Sequence, residues 1–320
     1  MDLSELTKKT IDVFRGSTYT YYTSPAQKSK LTLILFHRWP DTAHLWGYGI
    51  TAVDNLGFGE SSKPTDTKIY ACDGIAADAI KILDAEGINK AISLGHDWGC
   101  MIAQRLYNFH PNRVCGLVVM LNVAYTVRTD QFDLDKINEK TKKMFGRGIH
   151  EYWHFFTADD AFEIMNQNLE SVYAAVFGKP EIWYETVVTL GGMRRFVSEG
   201  RTQPTQPFAT SEHKADSMER FSKDGGFAAP RCVYTATSTA AQTESDRKLT
   251  EEAKTVKVSV LYWGGTRDYV CRPELWQQSI ASGIPPNVKS LTRAGGHWAF
   301  LERPREFGMD VLRWLQDTFP

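Results

Sequence analysis

The sequence predicts an α/β fold with a mostly parallel central sheet, helices on both faces and a helical insertion. Three observations lead to this prediction. Apolar runs of strand length recur along the chain, segments with helical periodicity separate them, and residues 125–250 change to an aromatic, charged and helical pattern. Strands that alternate with helices form parallel sheets whose two faces are both covered.

The N-terminal segments predict an antiparallel pair of strands. "TIDVFRG" and "TYTYYTS" are rich in β-branched and aromatic residues, and Gly16-Ser17 stands between them as a turn. The following strands are predicted to be buried on both faces because each is a continuous apolar run. They are "LTLILF" (31–36), "GITAVD" (49–54), "AISL" (91–94), "VCGLVVML" (114–121) and "VKVSVLYWG" (256–264).

Helical patterns fill the intervals. "CDGIAADAIKILDAEG" predicts a helix with Asp73 as its cap and Gly87 just after its end. Within the insertion, "DDAFEIMNQNLESVYAAVFG" predicts helix, and "TSTAAQTESDRK" is interpreted as a polar segment that returns to the sheet. We therefore expect a core formed by residues 1–124 and 251–320, and a helical cap with its return segment at 125–250.

The composition excludes several classes of protein. The chain has 320 residues, of which 42% are hydrophobic and 23% charged, as in a typical globular protein. A net charge of −1 argues against a nucleic-acid partner. No apolar stretch reaches the roughly 18 to 20 residues of a membrane span, and the first residues lack a secretory signal. Five cysteines without a CxxC pair indicate reduced thiols in a cytoplasmic protein.

Three residues at the ends of predicted strands form a candidate catalytic set. Asp97 lies in "GHDWG" (95–99) directly after a strand, where flanking glycines permit a sharp strand-to-helix turn that exposes a nucleophile. Asp268 in "GGTRDYV" follows the strand 256–264, and His297 lies in a glycine-rich loop before an amphipathic C-terminal helix. Each residue alone is more often a turn acid or a structural histidine. Together, in the order nucleophile, acid and histidine, they indicate a catalytic triad.

With these motifs, the chain resembles the epoxide hydrolases of the α/β-hydrolase superfamily. The resemblance extends over nearly the whole chain through "FHRWPD", "DNLGFGESSKP", "GHDWG", "EYWHFF", "APRCVY", "GGTRDYV" and "GGHWAF". It implies the α/β-hydrolase fold with a cap, and the opening of an epoxide to a vicinal diol through a covalent aspartyl ester. The implied partners are a small-molecule epoxide and water, with no cofactor and no metal.

The resemblance also assigns roles to single residues. Asp97 matches the nucleophile, Asp268 the acid that orients the histidine, and His297 the base. Tyr152 and Tyr234 match a pair of phenols in the cap, and the backbone N–H groups of Trp39 and Trp98 are the expected oxyanion donors.

The chemistry of an epoxide explains why an aspartate replaces the serine of esterases and lipases at this turn. Ring opening is an in-line displacement at a saturated carbon, which a carboxylate performs by forming an ester. The leaving oxygen needs a proton, and phenols with a pKa near 10 stay protonated at neutral pH and can supply it.

Two other functions remain open. Haloalkane or haloacid dehalogenases share the aspartate, the histidine and a tryptophan at position 98, but hold a halide where Tyr152 and Tyr234 stand here. A non-catalytic protein with the hydrolase fold is the second alternative, while an esterase is disfavoured because no serine occupies the turn. "HEYWH" (150–154) has the H-E-x-x-H spacing, with Glu151 at the metalloprotease position, but no zinc site is predicted there. "GFGES" (57–61) lacks the phosphate-loop lysine, so no nucleotide site is predicted there either.

The sequence departs from the family pattern in two places. Arg38 stands where the family has glycine in the oxyanion motif. Only eight residues, 41–48, then join this motif to the next strand, whereas a parallel crossover needs about a dozen or more. We expect a helix to be missing, through a deletion or, as the favoured explanation, a misassigned exon boundary. The chain as written is then expected to have low solubility and low activity.

Overall fold

The computed structural model describes residues 6–24, 31–37, 50–121, 127–283 and 285–320. At its centre is an eight-stranded sheet with the order β1-β2-β4-β3-β5-β6-β7-β8. The strands are β1 (Thr7–Asp12), β2 (Thr18–Thr23), β3 (Thr32–Phe36), β4 (Ile50–Val53), β5 (Ala91–His96), β6 (Val114–Met120), β7 (Ser259–Gly265) and β8 (Val288–Arg293). Only β1 with β2 and β2 with β4 pair antiparallel, which confirms the mostly parallel sheet.

The first two strands form the predicted antiparallel pair. They run from the pairing of Thr7 with Thr23 to that of Asp12 with Thr18. The turn contains Gly16, whose φ of 75° is a conformation that glycine adopts at little cost. The first strand begins and ends earlier than its sequence pattern suggests, because the residues after Asp12 form the turn.

The buried parallel strands lie where their apolar runs predicted them, and side chains alternate between two hydrophobic clusters. Leu33 and Leu35 face one cluster, while Ile34 and Phe36 face the other, as the period of a strand requires. β3 and β4 pair in parallel from Leu33–Ile50 onwards. The described residues do not include the short connection 41–48, from which we expect a helix to be missing. They do not include Arg38 either.

The eighth strand was not predicted. Its sequence, "VKSLTR", alternates charged and apolar residues, and its side chains are only half buried or exposed. β8 pairs with β7 alone and is an edge of the sheet. Edge strands lack the continuous apolar run by which the inner strands were recognised.

Among the described residues, five α-helices flank the strands of the core. They are α1 (Cys72–Ala85), α2 (Trp98–Phe109), α12 (Pro273–Ala281), α13 (Ala299–Glu302) and α14 (Pro304–Thr318). The predicted cap of α1 is wrong, because Ala71 is the N-cap and Asp73 lies in the first turn, where its carboxylate pairs with Lys248. Gly87 follows the helix end with a φ of 66°, as predicted.

Between β6 and β7 the described residues form nine helices. They are α3 (Leu134–Phe145), α4 (Trp153–Phe156), α5 (Ala161–Gln167), α6 (Leu169–Phe177), α7 (Ile182–Thr186), α8 (Gly192–Ser198), α9 (Ser211–Phe221), α10 (Cys232–Ser238) and α11 (Ala240–Arg247). Asn168 separates α5 from α6 within the single helical pattern of the sequence. The division into a core (1–124, 251–320) and a cap (125–250) stays a prediction.

The structure of segment 237–248 also differs from the polar return segment that the sequence suggested. It is helical for most of its length, and Gln242, Ser245 and Asp246 are buried in it. These side chains are hydrogen-bonded to α1 and α2, so their burial is compensated. None of the helices that the structure describes is long and apolar enough to cross a membrane.

Candidate active site

A sharp turn between β5 and α2 presents Asp97. Its φ of 51° is one of three positive values at non-glycine residues in the described part of the chain. Such a conformation costs about 1–3 kcal/mol and is typical of functional sites. Larger side chains would clash at both flanking glycines. A Cβ on Gly99 would lie 2.1 Å from the carbonyl oxygen of Phe36, and a Cβ on Gly95 would lie 2.3 Å from the backbone of Gly99.

The two carboxylate oxygens of Asp97 have different surroundings. Oδ1 accepts a hydrogen bond of 2.8 Å from the backbone N–H of Trp98. Oδ2 lies 3.3 Å from Sγ of Cys271, which donates to it, and 3.5 Å from Nε2 of His297. One oxygen is therefore held by the backbone at the start of α2, while the other faces the imidazole.

His297 and Asp268 form the rest of the predicted triad. Nδ1 of His297 lies 2.6 Å from Oδ2 of Asp268, and both side chains are buried. Oδ1 of Asp268 accepts from the backbone N–H groups of Val270 and Cys271, each at 2.9 Å. Because the carboxylate of Asp268 accepts, Nδ1 donates to it, and Nε2 is the ring nitrogen that faces Asp97.

Asp268 stays ionised in this environment. Burial alone would raise the pKa of Asp268, but the charge and hydrogen bond of His297 and the two backbone donors together lower it. An ionised Asp268 stabilises a positive charge on His297, as a base that takes a proton requires.

The two tyrosines predicted from the resemblance lie side by side. Tyr152 precedes α4 and Tyr234 lies in α10, and their ring centroids are 5.8 Å apart at an interplanar angle of 83°. The ring of Tyr234 also meets that of Trp98 edge-on at 5.2 Å, next to the turn that carries Asp97. The fold thus joins two residues 82 positions apart in an aromatic cluster beside the candidate nucleophile.

Two cavities border Asp97. The larger one has a volume of about 390 Å³ and extends from Asp97 and Tyr152 past Phe132 and His150 towards Leu275. The smaller one, of about 10 Å³, is lined by Asp97, Tyr152 and His297. The larger volume is in the range of small-molecule sites, while the smaller one has room for about one water molecule.

Cys271 and His150 are two residues of the site that do not belong to the catalytic set predicted from the sequence, where His150 was considered only as part of "HEYWH". Cys271 follows Asp268 by three positions in the same turn. Its position just after the predicted catalytic acid is the one sequence signal that could have indicated that Cys271 belongs to the site. His150 is buried in the larger cavity, and burial lowers its pKa to about 4, although the charge of Asp97 opposes this shift and Arg128 adds to it. Trp39, the other expected oxyanion donor, lies outside the described residues.

A family model described as alpha/beta hydrolase fold matches residues 32–304. The bifunctional epoxide hydrolase 2 of Mus musculus is 23% identical over 301 residues, which cover 89% of this chain and 51% of that protein. An epoxide hydrolase of Caballeronia sordidicola is 25% identical over 314 residues, covering 88% of this chain and 87% of that one. The chain thus spans about half the length of the mammalian relatives it matches.

Solved structures show the same fold. Epoxide hydrolase A from Mycobacterium thermoresistibile superimposes with a TM-score of 0.79 at 20% identity, covering 97% of this chain and 98% of that one. An epoxide hydrolase from Vigna radiata gives a TM-score of 0.77 at 16% identity. These similarities confirm the resemblance on which the sequence prediction depended.

Proposed function

Because the chain belongs to the alpha/beta hydrolase fold family, we propose that it opens epoxides to vicinal diols through a covalent ester on Asp97. The observation that carries the proposal is the position of Asp97 Oδ2, 3.5 Å from His297 Nε2, beside a cavity that Tyr152 also lines. The relatives named as epoxide hydrolases support this choice of substrate.

In the first step Asp97 Oδ2 attacks a ring carbon of the epoxide, and the bond from that carbon to the ring oxygen breaks. Tyr152 and Tyr234 donate to the ring oxygen, and one phenolic proton passes to it as the alkoxide develops. The larger cavity holds the rest of the substrate. The product of this step is an ester that joins the substrate to Oδ2.

In the second step His297 Nε2 takes a proton from water, and the resulting hydroxide attacks Cγ of Asp97. The small cavity beside His297 has room for this water. Charge develops on Oδ1, which the N–H of Trp98 already contacts at 2.8 Å, and one such donor contributes about 3–4 kcal/mol to the transition state. The bond from Cγ to Oδ2 breaks, and the diol leaves with Oδ2 as an alkoxide. The proton on His297 and the proton of the hydroxyl now on Cγ neutralise this alkoxide and the tyrosinate, which restores neutral His297 and the carboxylate of Asp97.

The helices between β6 and β7 are proposed to act as the cap over this reaction, with the boundaries 125–250. They supply Tyr152 and Tyr234, while β5, β7 and the loop after β8 supply the triad. In this proposal the proton donors and the nucleophile approach the substrate from opposite sides.

Dehalogenation is the second candidate, since it uses the same aspartate and histidine. Tyr152 lines both cavities beside Asp97, and its phenol is a proton donor suited to a leaving oxygen, which favours an epoxide over a halide at this position. Parallel assays of halide release and of diol formation distinguish the two reactions directly.

The covalent step is tested with the variants His297→Gln and Asp97→Ala and a reactive aryl epoxide. We expect His297→Gln to form the ester but to hydrolyse it slowly, so that the intact mass increases by the mass of one epoxide. Asp97→Ala should form neither adduct nor diol. The proposal fails if His297→Gln shows no adduct while the wild-type chain produces diol.

A further inference from the structure

We propose that Asp97, Cys271 and His297 form a site for Zn²⁺, and that the bound ion blocks the active site. Their ligand atoms, Oδ2, Sγ and Nε2, all lie within 4.8 Å of one another. Carboxylate oxygen, thiolate sulfur and imidazole nitrogen are the three ligand types by which proteins bind zinc. Binding of the ion does not depend on the proposed function, whereas its effect on turnover does.

Two of the three distances within the cluster match the edges of a zinc tetrahedron, and the third, from Cys271 Sγ to His297 Nε2, is within 4.8 Å. With zinc bonds of about 2.0 Å to oxygen and nitrogen and about 2.3 Å to sulfur, tetrahedral edges are roughly 3.5 Å for oxygen to sulfur and roughly 3.3 Å for oxygen to nitrogen. The structure gives 3.3 Å from Asp97 Oδ2 to Cys271 Sγ and 3.5 Å from Oδ2 to His297 Nε2. An ion can therefore bind with small side-chain adjustments.

The imidazole of His297 is prepared for a metal. Its Nδ1 is hydrogen-bonded to the carboxylate of Asp268 at 2.6 Å, which fixes the tautomer and leaves Nε2 as the donor atom. Zinc-binding histidines commonly have such a carboxylate partner. Nε2 is buried and has no hydrogen-bond partner among the residues that the structure describes, although it borders the small cavity.

The charges also favour a divalent cation. Binding displaces the thiol proton of Cys271, which passes to solvent, so the ligands become one carboxylate, one thiolate and one neutral imidazole. Their two negative charges balance the ion within a buried site. Two cavities border Asp97, and a water from them can serve as the fourth ligand.

A bound ion would stop the proposed reaction at both steps. It occupies Oδ2 of Asp97, which must attack the epoxide, and Nε2 of His297, which must take the proton from water. Cys271 has no role in that reaction scheme, so it is the residue through which metal binding can be examined separately.

The test measures binding and turnover separately in the full chain. Zn²⁺ is titrated against a chromophoric chelator, and Co²⁺ is used as a spectroscopic probe because a thiolate ligand adds a sulfur-to-metal charge-transfer band. We expect one equivalent of either ion and a charge-transfer band for the wild-type chain. In Cys271→Ser and Cys271→Ala the band should disappear. Zinc affinity should fall by at least about tenfold, because even the loss of a residue that only contacts a zinc ligand lowers metal affinity by about this factor.

Cys115→Ser is the matched control, because Cys115 is a partly exposed thiol away from the cluster. It should keep both the band and the affinity. A thermal melt of each variant shows whether it is folded. Absence of stoichiometric binding by the wild-type chain, or unchanged binding in both folded Cys271 variants, would overturn the proposal.

Epoxide turnover is then measured with and without Zn²⁺, each variant against its own metal-free rate. Zinc should inhibit the wild-type chain and Cys115→Ser, and should inhibit the Cys271 variants only at higher concentration. If the metal-free chain opens no epoxide but binds one zinc through Cys271, the proposed function is wrong and the metal site stands.

Discussion

Arg105 and Asp246 form a buried, two-pronged ion pair. Nε and Nη2 of Arg105 each lie 2.7 Å from an oxygen of Asp246, and both side chains are almost completely buried. Arg105 lies on α2, the helix that begins next to Asp97, while Asp246 lies on α11 in the stretch interpreted from sequence as a polar return segment. The pair therefore connects α2, which follows the candidate nucleophile, to α11, which directly follows the helix that carries Tyr234.

Removal of one partner of this pair should destabilise the protein strongly. Asp246→Asn leaves the buried guanidinium without its counter-charge, and we expect a loss of about 3–5 kcal/mol in the free energy of unfolding. Denaturant titration measures the loss. Glu219→Gln, which breaks an exposed pair with Lys223, is the control and should change stability by less than about 0.5 kcal/mol. Equal effects of the two variants would contradict the prediction.

The tight turn at Asp97 should not tolerate a methyl group at Gly99. In Gly99→Ala the new Cβ would overlap the carbonyl oxygen of Phe36, and both backbones would have to move. We expect a destabilisation of about 2 kcal/mol or more and a large loss of activity. Gly308→Ala, in α14 with no atom within 4 Å of its Cβ position, should instead be neutral or stabilising by about 0.5–1 kcal/mol. Thermal melts of both variants compare the two sites.

The tyrosine pair should control ring opening and not ester hydrolysis. Because both phenols donate to the same oxygen, Tyr152→Phe and Tyr234→Phe should each slow adduct formation by about tenfold or more, and the double variant by about 10²–10⁴. Single-turnover mass spectrometry measures the rate of adduct formation. Tyr184→Phe, at an exposed tyrosine, is the control. Unchanged adduct formation in the double variant would exclude the pair from the mechanism.

His150 should make the fold sensitive to acid. Its pKa is about 4 in the folded chain, against about 6.5 in an unfolded chain, so the unfolded state binds more protons between these values. Stability should therefore fall as the pH decreases from about 6.5 to 4, by about 3 kcal/mol from this residue alone.

The variant His150→Gln tests the acid sensitivity. It should flatten the decline of unfolding free energy over that range, as measured by denaturant titration at several pH values. His154→Gln changes a partly exposed histidine in the same segment and should keep the wild-type slope. A wild-type slope in His150→Gln would show that this imidazole does not cause the sensitivity.

Much of the fold was predictable because inner strands and nucleophile turns leave strong local signals. Continuous apolar runs marked β3 to β7, and the glycines around Asp97 marked a turn that the structure explains by backbone contacts. The order of Asp97, Asp268 and His297 was enough to predict that they meet. Their predicted catalytic roles stay predictions.

The residues that the sequence did not reveal depend on long-range contacts. Asp246 belongs to a segment that reads as polar and exposed, and its pairing with Arg105, 141 positions away, compensates its burial. Cys271 and the His150 of "HEYWH" become part of the site through its three-dimensional packing. β8 was missed because an edge strand has a mixed, partly charged pattern.

The charges at the two sheet edges have a consequence for association between molecules. The outer strand β1 carries Lys8 and Lys9, and the opposite outer strand β8 carries Lys289 and Arg293. An incoming strand from another molecule would have to bring its backbone alongside these cations, and such residues are a common protection against edge-to-edge growth. Aggregates of this protein, if they form, should therefore assemble through other surfaces than a continued β-ladder.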